Sequence, residues 1–393
     1  MNDVGVGGIE FQLSVLLFFA LLGYVVGTRF SRSVVVGAIL VGVAVGPTVL
    51  GLVTYSPLVE VMAHIGAIFL LFVAGLECKF KEVYNARAFV VAAGGVVVPW
   101  VAGLLFAVWY GFSFIQSFFV GVALTATSVA ITAQVLREMG WLDSVAGKAI
   151  IGAAVVDDVL GLLALSVLKQ FVAGSFALSS LALIFVVALV FLAVSVFVGT
   201  RFVAPFLEYF NVWCGKHGKP NLTFFAAVAV AFFYSAVAEI VGLSAVVGAF
   251  VAGVSLESLK IRSYREGAEY FEVVFAAVFF VSLGVLVDLH AAWTSLSFWA
   301  FVLLLSVLAV VAKVVGCGGA ARLMGLGRRD SLAVGVGMVP RGEIAFIVAL
   351  FGLSSGLVGQ QIYSAILLLG LLTTVVTPFL LSAVFVLGVK GRA

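Results

Sequence analysis

The sequence has little charge for its length and few of the residues that bind metals or form disulfides. Only 10% of its 393 residues are Asp, Glu, Lys or Arg, whereas an ordinary soluble domain carries about 25%. The three cysteines and three histidines are scattered, without a Cys-x-x-Cys or Cys/His metal spacing. No hydrolytic or redox motif is present, so an enzyme is not expected, and no cofactor is expected either. The net charge of +3 is too small to indicate a nucleic-acid partner.

The sequence consists largely of long apolar runs. Hydrophobic residues make up 64% of the chain, and the mean hydropathy is +1.31. Runs such as "LALIFVVALVFLAVSVFV" are continuous and long enough to cross a hydrocarbon core of about 30 Å as helices. They predict an all-α polytopic membrane protein with lipid around it. Breaks at charges, Pro and Gly give about thirteen spans, at 9–27, 33–51, 58–77, 88–112, 116–138, 147–169, 176–204, 221–241, 243–257, 269–289, 294–320, 331–352 and 360–388.

The basic residues predict the orientation of these spans. All loop Lys and Arg residues except Lys169 follow odd-numbered spans. Excess Lys and Arg marks the cytoplasmic side of a membrane. The N-terminus is therefore predicted outside and the C-terminus in the cytoplasm, in a multi-pass protein of the cell (inner) membrane.

Two stretches resemble each other at an offset of 211 residues, namely "SVVVGAILVGV" (33–43) and "SAVVGAFVAGV" (244–254). The match maps span 2 onto span 9, and a similar pair near Gly75 and Gly284 maps span 3 onto span 10. A shift of seven spans inverts the second copy, so we predict two inverted six-helix repeats joined by linker span 7. Such repeats are typical of secondary transporters, with the substrate site near the midplane. Chance similarity between Gly-Ala-Val strings is the alternative.

Five ionisable residues stand out inside predicted spans, where an ionised group costs about 2.5–3.5 kcal/mol or more, while most other charges fall in loops or at span ends. They are Asp157, Asp158, Lys313, Arg341 and Glu343. Counted from the cytoplasmic turns near residues 142 and 328, four positions lie at one depth, about 20 Å into the membrane. Those positions are Thr127, Asp157, Lys313 and Glu343.

Two spans carry signs of a broken helix at this depth. Span 5 contains "LTATSVAIT", with Thr127 and Ser128, and span 12 contains "GMVPRGE", with a proline inside the apolar run. Proline removes a helical hydrogen bond, and unwound backbone is tolerated in a membrane only where it is buried in protein or lines a cavity. Its free carbonyls, with hydroxyl groups, suit a small hard cation. Glu343 can compensate a half-helix N-terminus and Lys313 a half-helix C-terminus.

The functional hypothesis depends on the two adjacent aspartates, Asp157 and Asp158. Neighbouring helical residues point about 100° apart, so one carboxylate can face Lys313 while the other faces a water-filled cavity. A carboxylate that binds either a proton or a monovalent cation couples the two ions in opposite directions. A structural salt bridge is the alternative, but one lysine leaves a second carboxylate unneutralised. For Arg341, a structural role toward Glu343 or broken-helix carbonyls is favoured.

These motifs resemble a known family. "GAAVVDDVLGL", "TATSVAITAQVL", "VGVGMVPRGEIAFIV", "VGPTVLGL" and "AKVVG" resemble the monovalent cation:proton antiporters, in the branch with the NapA-type sodium/proton antiporters and the Kef-type potassium systems. The resemblance covers essentially the whole chain. It implies an NhaA-like fold with two crossing broken helices and a homodimer.

The resemblance also implies roles and boundaries. Asp158 would be the main cation and proton carboxylate, and Asp157 its partner toward Lys313, with Na⁺ at Asp157, Asp158, Thr127 and Ser128 and the broken-helix site completed by Glu343 and Arg341. An elevator motion and electrogenic exchange, in which Lys313 carries a proton, would follow. The implied units are scaffold helices in 1–85, core helices in 86–172, a linker helix and loop in 173–220, scaffold helices in 221–290 and core helices in 291–393.

Other functions stay open at this point. A K⁺/H⁺ antiporter or a Kef-like gated K⁺ efflux channel is the alternative to Na⁺ (or Li⁺) exchange. A channel needs a selective pore, and no filter-like loop is evident. A non-transporting sensor leaves the net charge of the Asp-Asp-Lys cluster unexplained. The chain ends at Ala393 without the C-terminal nucleotide-binding domain that Kef-type proteins usually carry.

Overall fold

The computed structural model describes residues 9–31, 34–78, 85–172, 174, 178–219, 221–259, 261–286 and 296–387. In these ranges all regular secondary structure is helical. The first nine helices are α1 (Ile9–Val26), α2 (Val34–Val45), α3 (Pro57–Leu76), α4 (Ala86–Trp109), α5 (Phe114–Thr125), α6 (Val129–Glu138), α7 (Val145–Val172), α8 (Leu178–Val198) and α9 (Ala204–Lys216). The remaining eight are α10 (Asn221–Ile240), α11 (Ala245–Leu256), α12 (Arg262–Val285), α13 (Leu296–Lys313), α14 (Gly319–Leu323), α15 (Arg328–Gly337), α16 (Glu343–Ser354) and α17 (Gln360–Leu387).

Most of these helices have the length and apolarity of membrane spans. Within the described ranges, ten helical segments are long and apolar enough to cross a membrane, and three further apolar helices are shorter. Each of the thirteen predicted spans overlaps one of these segments. The three short ones are α2, α11 and the 344–354 part of α16, so the all-helical membrane fold is confirmed while the number of crossings stays a prediction.

The two halves of the predicted repeat pack on each other as a symmetric pair. A Cβ atom at Gly42 of α2 would lie 2.1 Å from the carbonyl oxygen of Val281 on α12, beside Gly284. In the same way, a Cβ at Gly253 of α11 would lie 2.2 Å from the carbonyl oxygen of Phe72 on α3, beside Gly75. Each short helix therefore contacts the long helix of the other half, backbone against backbone, and the two contacts correspond to each other in the predicted repeat.

Two helical pairs are interrupted where the sequence predicts breaks. Residues 126–128 separate α5 from α6, and residues 338–342 separate α15 from α16. A third irregularity follows Lys313, where a π-helical turn (Val314–Gly318) joins α13 to α14. Such π turns are frequent at functional sites, and this one packs against α15, where a Cβ at Gly335 would lie 2.8 Å from Cα of Val314.

Candidate functional site

The first break arises from local backbone chemistry. The hydroxyl of Thr125 donates to the carbonyl of Val122 at 2.8 Å, inside the last turn of α5. Ala126 then adopts an extended conformation (φ −59°, ψ 142°). Ser128 restarts the chain as the N-cap of α6, because its side chain accepts from the backbone N–H of Ile131 at 3.4 Å.

The second break lies against the first. Pro340 lacks an N–H donor, and Gly342 is extended just before α16 (φ −128°, ψ −159°). A Cβ at Gly342 would lie only 2.8 Å from the Cβ of Ser128. Glycine is therefore required here for close approach between the two broken segments.

Three hydrogen bonds connect the broken segments directly. The backbone N–H of Ser128 donates to the carbonyl of Pro340 at 2.9 Å. The hydroxyl of Thr127 donates to the carbonyl of Met338 at 3.3 Å, and that of Thr132 donates to the carbonyl of Gly337 at 2.7 Å. The polar groups that unwinding releases are thus satisfied by the facing segment, as membrane depth demands.

Arg341 stabilises the C-terminal end of α5. Its guanidinium is fully buried and donates to the carbonyls of Ala126 at 3.0 Å and Ala309 at 3.2 Å. A cation at a helix C-terminus compensates the partial negative charge of its free carbonyls. Arg341 is therefore placed to compensate this helix end, while the compensating role predicted for Lys313 stays a prediction.

Lys313 pairs with one of the two aspartates. Its Nζ lies 3.1 Å from Oδ1 of Asp157, and the two side chains are 0% and 1% exposed. Oδ2 of Asp157 is also buried and accepts no hydrogen bond from the described part of the protein. A buried pair of this kind is costly to break by removing one partner.

Asp158 faces a cavity. It lines a space of about 70 Å³ together with Thr127, Ser128 and Gly342 from the two breaks. A single water needs roughly 10–15 Å³ by this measure, so the space has room for an ion with some of its hydration. The opposite wall comes from α3 and α12 and includes His64 and Ser282.

The small cavity adjoins a wider vestibule of about 460 Å³. Both spaces are lined by Tyr55 and His64, at the start of α3. Glu60 and Glu239 add acidic side chains to the vestibule wall. Asp158 is thus approached from the end of the bundle where α3 begins.

The structure brings the predicted residues together at one place. Asp158, Thr127 and Ser128 share a cavity, whereas Asp157 does not line it and contacts Lys313 instead. Glu343 begins α16, and its side chain lies outside what the structure describes. Na⁺ coordination by all four predicted ligands, and every individual role, stay predictions.

Sequence reasoning missed Gly95 and Cys317. A Cβ at Gly95 of α4 would lie 2.3 Å from Sγ of Cys317, 3.3 Å from Nζ of Lys313 and 3.7 Å from Oδ1 of Asp157. Neighbouring Gly94 would clash with the carbonyl of Gly316 in the π turn, at 2.5 Å. The "GG" in span 4 was the available signal, but glycine pairs are common in membrane helices.

Known proteins resemble the chain along nearly its whole length. Residues 15–387 match the family model described as "Sodium/hydrogen exchanger, transmembrane". The chain is 32% identical over 389 residues to the Na⁺/H⁺-K⁺ antiporter GerN of Bacillus cereus, covering 98% of this chain and 97% of that protein. It is 33% identical to the high-affinity Na⁺/H⁺ antiporter NhaS3 of Synechocystis, with 96% and 90% covered.

A solved structure agrees in fold. The sodium proton antiporter MjNhaP1 of Methanocaldococcus jannaschii superposes with a TM-score of 0.67 at 14% identity, covering 95% of this chain and 97% of that one. The chain therefore belongs to the transmembrane sodium/hydrogen exchanger family, a family of transporters.

Proposed function

We propose that the protein is a secondary active transporter that exchanges Na⁺ for H⁺ across the membrane. Family membership supports exchange, and the names of the relatives support Na⁺ as the cation. The observation that carries the proposal is Asp158, a buried carboxyl that lines a cavity between two broken helices. One of the relatives is named for K⁺ as well as Na⁺, so K⁺ is the second cation to test.

Exchange follows from competition for one carboxylate. Ionised Asp158 binds a cation with help from Thr127 and Ser128, whose oxygen atoms line the same cavity. A proton neutralises the same carboxylate and expels the cation. Since an ionised carboxylate is costly inside the membrane, the site is expected to change sides with either ion bound and not when it is empty.

Lys313 makes the exchange electrogenic in this proposal. The cation draws on Asp157 as well and separates it from Lys313, and the released ammonium gives up its proton because desolvation disfavours a charged amine. Two protons then exchange for one Na⁺. Arg341 supports this step, since its guanidinium stays near Asp157 and bound to two carbonyls.

Alternating access is proposed to move a core past a scaffold. The core comprises α4–α7 and α13–α17, and the scaffold comprises α1–α3 and α10–α12. One of the two buried apolar clusters is built from α4, α5, α7, α13, α16, α17 and the segments that follow α5 and α16, all within the proposed core, which supports these helices moving together. The scaffold would form a homodimer in the inner membrane, with the vestibule facing outward and the C-terminus in the cytoplasm.

Aspartate variants in proteoliposomes test the function. Asp158→Asn is expected to abolish Na⁺-dependent proton movement in a folded protein, because an amide cannot exchange the competing proton. Asp157→Asn is expected to retain part of the transport, because its role includes holding Lys313. The measurement is the proton flux that follows Na⁺, Li⁺ or K⁺ pulses under an imposed pH gradient.

Glu60→Gln serves as the matched control, since it removes a carboxylate from the vestibule wall and leaves the cavity intact. Transport by Asp158→Asn at the wild-type rate would refute the site. Cation flux without proton movement would indicate a channel, and no flux of either ion would indicate a sensor.

A further inference from the structure

One group of charges joins the core to the scaffold at the end of the bundle opposite the vestibule. Arg137 occupies the last turn of α6, the half-helix that begins at the cation cavity with Ser128 as its N-cap. α6 has ten residues, so Arg137 and the cavity lie at opposite ends of one rigid element, about 13 Å apart along its axis.

Two acidic residues from different scaffold helices converge on this arginine. Oε1 of Glu77, the C-cap of α3, lies 3.2 Å from Nε of Arg137. The carboxylate of Glu272 on α12 accepts from Nη1 of the same arginine. Glu272 is buried, whereas Glu77 and Arg137 are partly exposed. Loss of the arginine would leave a buried carboxylate without its partner.

The two scaffold helices that hold these acidic residues also contact each other directly. A Cβ at Gly66 of α3 would lie 2.1 Å from the carbonyl oxygen of Phe275 on α12, so these two helices pack backbone against backbone. The ion pairs of Arg137 are therefore not the only link between α3 and α12. They also connect both helices to α6, across the boundary that alternating access must shear.

Access to the site is asymmetric in this state. The vestibule opens where α3 begins, while Glu77 lies at its other end, about 30 Å away along a twenty-residue helix. Between Asp158 and Arg137, buried Ile131 and Val135 of α6 belong to one apolar cluster with Ile68 and Phe72 of α3. Beyond them, a cleft of about 190 Å³ is lined by Gln134, Arg137 and Glu272.

We propose that Arg137 is a positioning residue that sets the side to which the cation site is open. Its ion pairs with Glu77 and Glu272 stabilise the state in which Asp158 is reached through the vestibule, and they separate when the core moves to expose the site on the other face. This inference rests on the proposed transport function. It predicts that loss of Arg137 shifts the population of states without touching the site itself.

Accessibility of a thiol in the vestibule tests the proposal independently of transport. His64→Cys supplies the reporter, in a background where the three buried cysteines are replaced by alanine. An impermeant maleimide is applied to each face of membrane vesicles. Arg137→Gln is expected to slow labelling from the vestibule face at least about threefold, since that state becomes less populated. Arg137→Lys, which can keep an ion pair, is expected to restore much of the rate.

Arg265→Gln is the matched control. Arg265 is also partly buried, but it donates to the carbonyls of Glu257 and Leu259 and so stays within the scaffold. The labelling rate of Arg265→Gln should equal that of the His64→Cys protein without this substitution. Unchanged or faster labelling in Arg137→Gln would overturn the proposal, even if transport is lost.

A second variant tests the same proposal if Arg137→Gln does not fold. Glu77→Gln removes the more exposed of the two acidic partners and is expected to slow labelling to a smaller extent; an unchanged rate would again overturn the proposal. Na⁺-driven proton flux of the parent protein is measured in the same vesicles. Absence of this proton flux would refute the proposed function. The role of Arg137 is decided separately, by the labelling rate of its variant relative to that of the His64→Cys protein.

Discussion

At the scale of single residues, each charge of the site has a different neighbour. Lys313 contacts Asp157, Arg341 binds backbone carbonyls, and Asp158 is the carboxylate at the cavity. In the proposed exchange, Lys313 neutralises Asp157 and the guanidinium compensates the helix-end carbonyls, so a proton or a cation neutralises Asp158.

Lys313→Gln separates a proton-carrying lysine from a structural one. We expect transport to continue at a reduced rate but to lose its dependence on membrane potential, because exchange becomes electroneutral. The potential otherwise contributes about 2.3 kcal/mol per charge per 100 mV. Na⁺ pulses with and without valinomycin clamping measure this. A wild-type rate that ignores the potential would show that Lys313 carries no proton.

Gly95→Ala tests how tightly the ion pair is positioned. The new methyl group would meet Sγ of Cys317 and Nζ of Lys313, and displacing reacting groups by about 1 Å can cost up to roughly a hundredfold in rate. We expect a fall in the maximal Na⁺-driven flux of at least tenfold, about 1.4 kcal/mol.

Gly103→Ala is the control on the same helix. Its methyl group would meet the flexible end of Leu124 at 3.0 Å and Cα of Gly121 at 3.2 Å, but neither Lys313 nor Asp157, so near wild-type flux is expected. Adding Cys317→Ala to Gly95→Ala removes the closest contact and should restore part of the flux. Equal effects of the two glycine variants would indicate a general weakening of α4.

At the scale of helices, local signals predicted the breaks and long-range contacts completed the site. Pro340 and the Thr127–Ser128 pair mark unwound backbone through their own chemistry, so the sequence locates both interruptions. Arg341 contacts Ala126, 215 residues away, and Ala309, 32 residues away. Partners at such separations depend on how the helices pack, and a single sequence carries no signal for them.

The same distinction explains why the sequence did not single out Gly95 and Arg137 as functional residues. Arg137 reads as one of several cytoplasmic loop charges until packing places Glu77 and Glu272 beside it. The inverted repeat was readable because each copy keeps its own glycine pattern. The sequence did not show that the two copies pack on each other, which the close approach of Gly42 to Gly284 and of Gly253 to Gly75 reveals.

At the scale of the whole molecule, the distribution of Lys and Arg predicts which face is cytoplasmic. Arg328→Cys, at the exposed start of α15, should react with an impermeant thiol reagent only from the cytoplasm. Ser355→Cys, exposed after α16, should react only from outside, because one span separates the two positions. Labelling of Arg328→Cys in intact cells would reverse the topology and the assignment of the vestibule to the outer face.

The vestibule has an electrical consequence. Water that reaches Asp158 from one side carries the potential of that side to the site, so the voltage falls across the dry layer between Asp158 and Arg137. That layer is about 13 Å deep along α6, less than half of a hydrocarbon core of about 30 Å. Ion entry through the vestibule then crosses little of the field. In the proposed cycle, the electrical work is done as the core carries its bound charges through this thin, steep part of the field.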